Sequence, residues 1–268
     1  MAKLRKPIVI TVATHKGGLG KTLTVLELAR QFSILGKKVM VLDADCQCSA
    51  SRRLGYRDDG GITLGELLMM VASSGMIAED LCRQAIKHGN FSGYDIDYIP
   101  ASPLFESLAS VADGCLGAIR TILKNPAFAN YDIVLIDTKP NVNGPVKTAL
   151  CACDYLIIPY GCADLESSKG FADTCATFYD VIKDQEEQGA ILGVFLNRYD
   201  SRAVLSRSCE AALQNQCSDL LFRSKIKDMK SAVSDIFLGD ISKNNEIDKG
   251  FAELTKEVLE RIQELEEA

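Results

Sequence analysis

Seven consecutive residues, Lys16-Gly17-Gly18-Leu19-Gly20-Lys21-Thr22, combine three glycines, two lysines and a hydroxyl in a pattern suited to holding phosphate. Glycine tolerates positive φ and leaves room for a ligand at the main chain, so N–H groups around Gly17, Gly18 and Gly20 can converge as an anion nest. A helix starting near Gly20 adds the partial positive charge of its N-terminus at the same point. Lys21 then meets β- and γ-phosphate oxygens, Thr22 offers its hydroxyl to Mg²⁺, and the backbone N–H of Leu23 is placed for the α-phosphate. The ordinary phosphate-loop pattern asks for glycine five positions before its last glycine, and His15 stands there instead. Lys16 is an extra cation beside the cradle.

Two acidic segments can face this loop. Asp43-Ala44-Asp45-Cys46-Gln47 follows one apolar run and Ile136-Asp137-Thr138-Lys139-Pro140 ends another. A carboxylate at such a strand end can hold Mg²⁺ directly or through its waters, and a second can orient an attacking water. An aspartate there can also simply cap a helix.

Lys16, Gly17, Gly18, Gly20, Lys21 and Thr22 together resemble the deviant Walker A motif of the ParA/MinD family of dimerising P-loop ATPases, whose signature is the first lysine. The two acidic segments resemble that family's switch I motif, usually Asp-x-Asp-Pro-Gln, and its Walker B-like segment, usually Asp-Thr-Pro-Pro. The resemblance implies that Asp45 positions or activates water, that Asp137 binds the magnesium shell with Thr22, and that Asp43 supports both. It further implies ATP and Mg²⁺ as cofactors and a homodimer that sandwiches ATP, with Lys16 acting in trans on the nucleotide of a facing copy. A cation supplied in this way accelerates phosphoryl transfer by about 10³ or more. Cys46 replaces the family's usual proline, Lys139 the first proline of its pair, and Leu23 a common second threonine.

These residues need strands that end together and helices that start there. Pro7 to Ala13 is a β-branched run bounded by the glycine loop, and similar runs lie at Lys38–Asp43, Ile96–Ile99, Ile133–Asp137, Tyr155–Pro159 and Ile191–Asn197. Most read as buried parallel strands. Helical spacing is expected over Lys21–Leu35, Leu64–Ser73, Leu104–Lys124, Ser167–Lys183, Arg202–Gln214 and Asp248–Leu265. The alternation predicts an α/β fold: one doubly wound, mostly parallel sheet flanked by helices, with ligands at the carboxyl ends of its strands. No linker or repeat divides the 268 residues, so a single P-loop domain over 1–268 is expected.

Net charge is −6, so the mean field does not draw the chain to nucleic acid or anionic lipid. Between Arg198 and Lys230, however, seven basic residues face four acidic ones. Arg223, Lys225 and Lys227 alternate along an extended segment, a spacing suited to following phosphates. With Arg202 and Lys230 they form the candidate DNA-binding set, as partition ATPases of the family resemble this chain here too; a solvated charged face is the competing reading. Asn197, in Phe195-Leu196-Asn197-Arg198, has the donor and acceptor needed to read an adenine edge, and with Arg198 resembles the family's base-contacting segment; it also suits a simple turn.

The last segment, 246–268, holds eight acidic and three basic residues and one apolar stripe of Phe251, Leu254, Val258, Ile262 and Leu265. That composition disfavours an anionic membrane surface and suits docking onto the protein body. Ten cysteines without a signal segment read as reduced cytosolic thiols, and two histidines exclude a histidine-rich metal site or a Ser-His-Asp hydrolase within one subunit. The resulting expectation is a cytoplasmic, nucleoid-associated ATPase that dimerises on ATP, binds DNA without sequence preference and positions a cargo with a small ParB-type adaptor. A phosphotransferase with its acceptor near Lys139, and an ATP switch acting only through protein partners, are the alternatives.

Overall fold

The computed structural model describes residues 7–102, 114–140, 144–162, 167–185, 188–228 and 245–267. Much of the helix expected over 104–124 falls outside them, as does Lys230.

Eight strands form one sheet in the order β3-β4-β2-β5-β1-β6-β7-β8. They are β1 (Ile8–Val12), β2 (Val39–Ala44), β3 (Lys87–Phe91), β4 (Tyr94–Ile99), β5 (Ile133–Thr138), β6 (Tyr155–Gly161), β7 (Ala190–Tyr199) and β8 (Leu221–Lys227). Only the β3–β4 pair is antiparallel. The central strands are short runs of Val, Ile and Leu buried on both faces, as a sheet covered by helices on both sides requires.

Helices pack on both faces and sort the core into two clusters. On one side, α1 (Lys21–Ile34), α2 (Ser49–Arg53) and the long C-terminal α9 (Asn245–Glu267) share a cluster that includes Val25, Phe32, Leu54, Phe251 and Val258. On the other lie α3 (Leu64–Ser74), α5 (Ala118–Leu123), α6 (Gly144–Ala152), α7 (Ser167–Asp184) and α8 (Val204–Cys217), with α4 (Glu79–Ala85) beside α3. Four residues of the expected C-terminal stripe, Phe251, Leu254, Val258 and Ile262, are buried as docking requires, whereas Leu265 is half-exposed.

Parallel register brings the candidate residues to one end of the sheet. Val12, which precedes the glycine loop, pairs with Asp137, and Asp137 pairs with Asp43 on its other side. Across β1, Gly161 at the end of β6 pairs with Asn197 near the end of β7.

Candidate functional site

The loop between β1 and α1 closes over its own helix terminus. Gly20 caps α1 in the left-handed region (φ 76°), no side chain caps the helix start, and the first helical bond runs from Thr24 N–H to Gly20 O. The N–H groups of Lys21, Thr22 and Leu23 therefore belong to the open first turn of a helix. Gly18 is also left-handed (φ 73°). Lys21 curls back so that its ammonium donates to Lys16 O (3.1 Å) and Thr14 O (3.4 Å). Burial pushes its pKa down to about 8, against the attraction of Asp137 and Asp45.

The three acidic residues have different surroundings. Both oxygens of Asp43 are occupied: Asp45 N–H donates to one (3.1 Å), and the N–H and hydroxyl of Ser51 donate to the other (2.8 and 2.6 Å). Burial lifts its pKa to about 6 despite these bonds. Asp43 thus ties the turn after β2 and the start of α2 to the sheet. Asp45 accepts from Gln47 N–H (3.0 Å), which fixes its carboxylate within the turn. Asp137 is fully buried, and neither of its oxygens accepts a hydrogen bond. Burial, with repulsion from Asp43 and Asp45, raises its pKa well above the carboxylate range, while Thr22 and Lys21 favour the anion. Thr22 is thus near enough to act on Asp137 electrostatically, although no bond of ordinary geometry joins them.

A buried carboxyl without partners is costly unless something absent from the free chain completes it. An orphaned carboxylate beside a threonine hydroxyl and a phosphate cradle has the oxygen donors that a hard cation wants. Among the described residues, no group of three or more His, Cys, Asp or Glu side chains could hold a metal by itself. The donor set fits an ion that phosphate oxygens help to hold.

Asn197 is engaged with the phosphate loop. It is buried; its amide N–H donates to Leu19 O (2.8 Å) and its carbonyl accepts from Arg198 N–H (2.9 Å). A Cβ on Gly20 would come within 2.8 Å of the same amide. The side chain therefore pins the phosphate loop to the end of β7. Arg198 follows in the left-handed region (φ 54°), exposed at the rim, an unfavourable backbone for a residue with a Cβ.

Sequence reasoning missed three supports of the loop. His15 donates its main-chain N–H to the Thr174 hydroxyl (3.0 Å) on α7, and its ring contacts the same oxygen. Leu19 packs where a Cβ on Gly161 would come within 2.4 Å of it. Lys16, half-buried, runs past Gly170 of α7, where a Cβ would lie 3.5 Å from that of Lys16. All three partners lie over a hundred residues from the loop, beyond the reach of a local motif.

Of the candidate DNA-binding residues, Arg223, Lys225 and Lys227 do alternate along β8, each opposite a carboxylate. Arg223 pairs with Glu260 (2.9 Å) and Glu257 (3.5 Å), Lys227 with Glu246, and Lys225 with Glu210. Lys225 also lies 4.7 Å from the centre of the Tyr199 ring, which makes it a clasp between β8 and α8 more than an offered charge. Arg202 is exposed at the far end of β7 and pairs with Asp200 (3.3 Å). Glu246, Glu257 and Glu260 lie outside the 198–230 segment, so charge counting within it overstates the field.

The model of the AAA_31 family, described as an AAA domain, matches residues 8–191. Over 267 residues the chain is 28% identical to the chromosome-partitioning ATPase Soj of Thermus thermophilus, covering 98% of both. Among solved structures, a variant of McdA from Cyanothece in complex with ATP superposes with a TM-score of 0.82 at 22% identity, covering 96% of this chain and 97% of the other. Cobyrinic acid a,c-diamide synthase from Mycobacterium smegmatis, with a bound ATP analogue and magnesium, superposes at 0.77 and 21% identity over 96% of each chain. The two structural likenesses speak to the fold, a P-loop sheet flanked by helices. Together with the deviant phosphate loop, the family match establishes that the chain belongs to the AAA_31 family and is of the ParA/MinD type.

Proposed function

We propose that this protein is a Mg²⁺-dependent ATPase of partition type, which forms an ATP-sandwiched homodimer, binds DNA without sequence preference and positions a cargo. The orphaned, fully buried Asp137 beside the Lys21–Thr22 cradle carries this reading, because it gives the loop a place for a nucleotide and its cation. The T. thermophilus relative, named a chromosome-partitioning ATPase and matched from end to end, supports the biological assignment.

On this reading the open N–H groups of Lys21, Thr22 and Leu23, with those of the glycine loop, bind the triphosphate. Lys21 leaves its carbonyl partners for the β- and γ-phosphates. Thr22 and Asp137 hold magnesium, which when bound neutralises phosphate charge. Asp45, braced by the Gln47 N–H and by Asp43, orients the attacking water. Lys16, beside α7 at the mouth of the loop, stabilises charge on the phosphoryl group of the facing copy. Asn197 keeps Leu19, and with it the loop, in register. Binding to duplex DNA engages Arg202, Arg223 and Lys227, with Lys225 and Lys230 as the remaining members of the expected set.

Retention of random-sequence duplex DNA with ATP, ADP or no nucleotide tests the assignment. ATP-dependent retention that fades steeply with salt is expected. Equal retention in all three states contradicts it.

A further inference from the structure

β8 is the last strand of the sheet, and such an edge leaves a row of main-chain donors and acceptors open. Here two consecutive N–H groups are closed by one carboxylate. Arg223 N–H donates to Glu257 Oε1 (2.9 Å), while Ser224 donates its N–H (3.0 Å) and its hydroxyl (2.8 Å) to Glu257 Oε2. Successive N–H groups on one side break the strand's alternation, and the β7–β8 register slips at that point, between Val194 and Leu196. The edge is thus an anion cradle whose occupant is the chain's own glutamate.

The same substitution continues outward. Arg223 reaches Glu260 on α9, and Lys227 reaches Glu246 at the start of α9. The two outer pairs differ from the inner one in exposure. Glu257 is 4% exposed and anchors α9 to the sheet. The side chains of Arg223 and Glu260 are 79% and 59% exposed, and those of Lys227 and Glu246 60% and 51%. Pairs so exposed are weak and exchange readily. Beside Arg223 lies a cavity of about 290 Å³, lined also by Ser224, Lys256, Glu253, Glu257 and Glu260, so a phosphate entering it meets the two cations once Glu260 swings away.

We propose that Glu246 and Glu260 are built-in stand-ins for DNA phosphates: they hold Lys227 and Arg223 in the DNA-free protein, and duplex DNA binds by displacing them. This rests on the DNA-binding reading above and adds what sets the affinity of that face. Each exchange costs a factor of about two to five in DNA affinity, the strength of an exposed ion pair. It also blunts the salt dependence, since a released carboxylate takes back part of the counterion that the phosphate gives up.

The test measures binding of the ATP-loaded protein to random-sequence duplex DNA across a salt series. Four proteins are compared: the parent, E246Q/E260Q, the charge-matched control E264Q/E266Q, and R223A/K227A. Glu264 and Glu266 are exposed residues of the same helix, outside the cavity lining and with no ion pair among the described residues. E246Q/E260Q should bind about tenfold tighter than the parent at moderate salt, with a steeper salt slope, while the control gains less than about twofold. Equal gains for the two double variants overturn the exchange and reduce it to mean charge, even if R223A/K227A confirms the face by weakening binding. If the parent does not bind, or R223A/K227A binds like the parent, the DNA reading of this face falls, and the proposal falls with it.

Discussion

Asp137 and Lys21 are the two residues at which the free protein is least comfortable. The buried carboxyl of Asp137 faces two further acidic side chains without a hydrogen bond, so replacing it with asparagine relieves the fold while emptying the site of its ion ligand. Asp137→Asn should melt at or above the parent temperature without nucleotide, by about 2–4 °C per kcal/mol relieved. It should lose the thermal stabilisation given by Mg²⁺ and ATP, and hydrolysis should fall about a hundredfold. Chelating magnesium should remove that stabilisation from the parent alone. Lys21 gives a pH signature. Its pKa in the free chain is lowered to about 8 and must rise when phosphate faces the ammonium, so binding takes up a proton above that pH. ATP affinity should therefore fall as pH climbs from about 7.5 to about 9.5, by up to about tenfold per unit. Calorimetry in buffers of differing ionisation heat would record the proton uptake, and a flat profile would contradict the assigned role. For folding the sign is reversed. A lysine with a depressed pKa adds stability above its ordinary value of 10.5 and loses it as pH falls through about 8, so at neutral pH the empty site is a cost that nucleotide relieves.

At the scale of elements, the loop is positioned by what surrounds it as much as by its own glycines. Gly20→Ala places a Cβ in left-handed backbone and against Asn197, so it should cost about 1–2 kcal/mol and loosen the cradle. Asn197→Ala leaves Leu19 O without its donor, at about 1–3 kcal/mol, and should raise the KM for ATP more than it lowers kcat. Behind the loop, α1 and α9 meet through buried charges: Arg30 donates to Glu27 (2.7 Å) and to Asp248, and Gln31 donates to Asp248 (2.8 Å). Arg30→Met should cost about 3–5 kcal/mol in denaturant unfolding by stranding Glu27, while Asp248→Asn, at the open end of the network, costs under about 1 kcal/mol. This network explains why α1 carries so little amphipathic signal, since Glu27, Arg30 and Gln31 are as buried as its leucines. The central strands were legible because burial on both faces leaves continuous apolar runs. β3 was not, since Lys87, His88 and Asn90 give an edge strand no apolar pattern. Nor was α6, whose Gly144-Pro145 start reads as a loop although Pro145 is tolerated in the first helical turn. The phosphate loop and its acidic partners were readable because their spacing is local. The bond from Asn197 to Leu19 and the counter-ions of β8 were not, because both depend on contacts across the sheet.

The whole molecule brings these parts to one end of a single sheet, where the phosphate loop, the orphaned aspartate and Lys16 share a rim with the end of β7, and the charged edge strand runs away from it. Among the described residues no helix is long and apolar enough to cross a membrane, and the acidic C-terminal helix is spent on packing. On the proposed reading, a chain of net charge −6 binds DNA through two copies of its basic edge acting together, brought side by side by a nucleotide-clasped pair. Light scattering on the parent and on Lys16→Ala, each with magnesium and either ADP or a nonhydrolysable ATP analogue, measures that pairing directly. The account predicts that the parent doubles its mass only with the triphosphate analogue and that Lys16→Ala hydrolyses ATP about a thousandfold more slowly while still binding it. A parent that stays monomeric with the analogue, or a Lys16→Ala protein that pairs and hydrolyses at the parental rate, would contradict it.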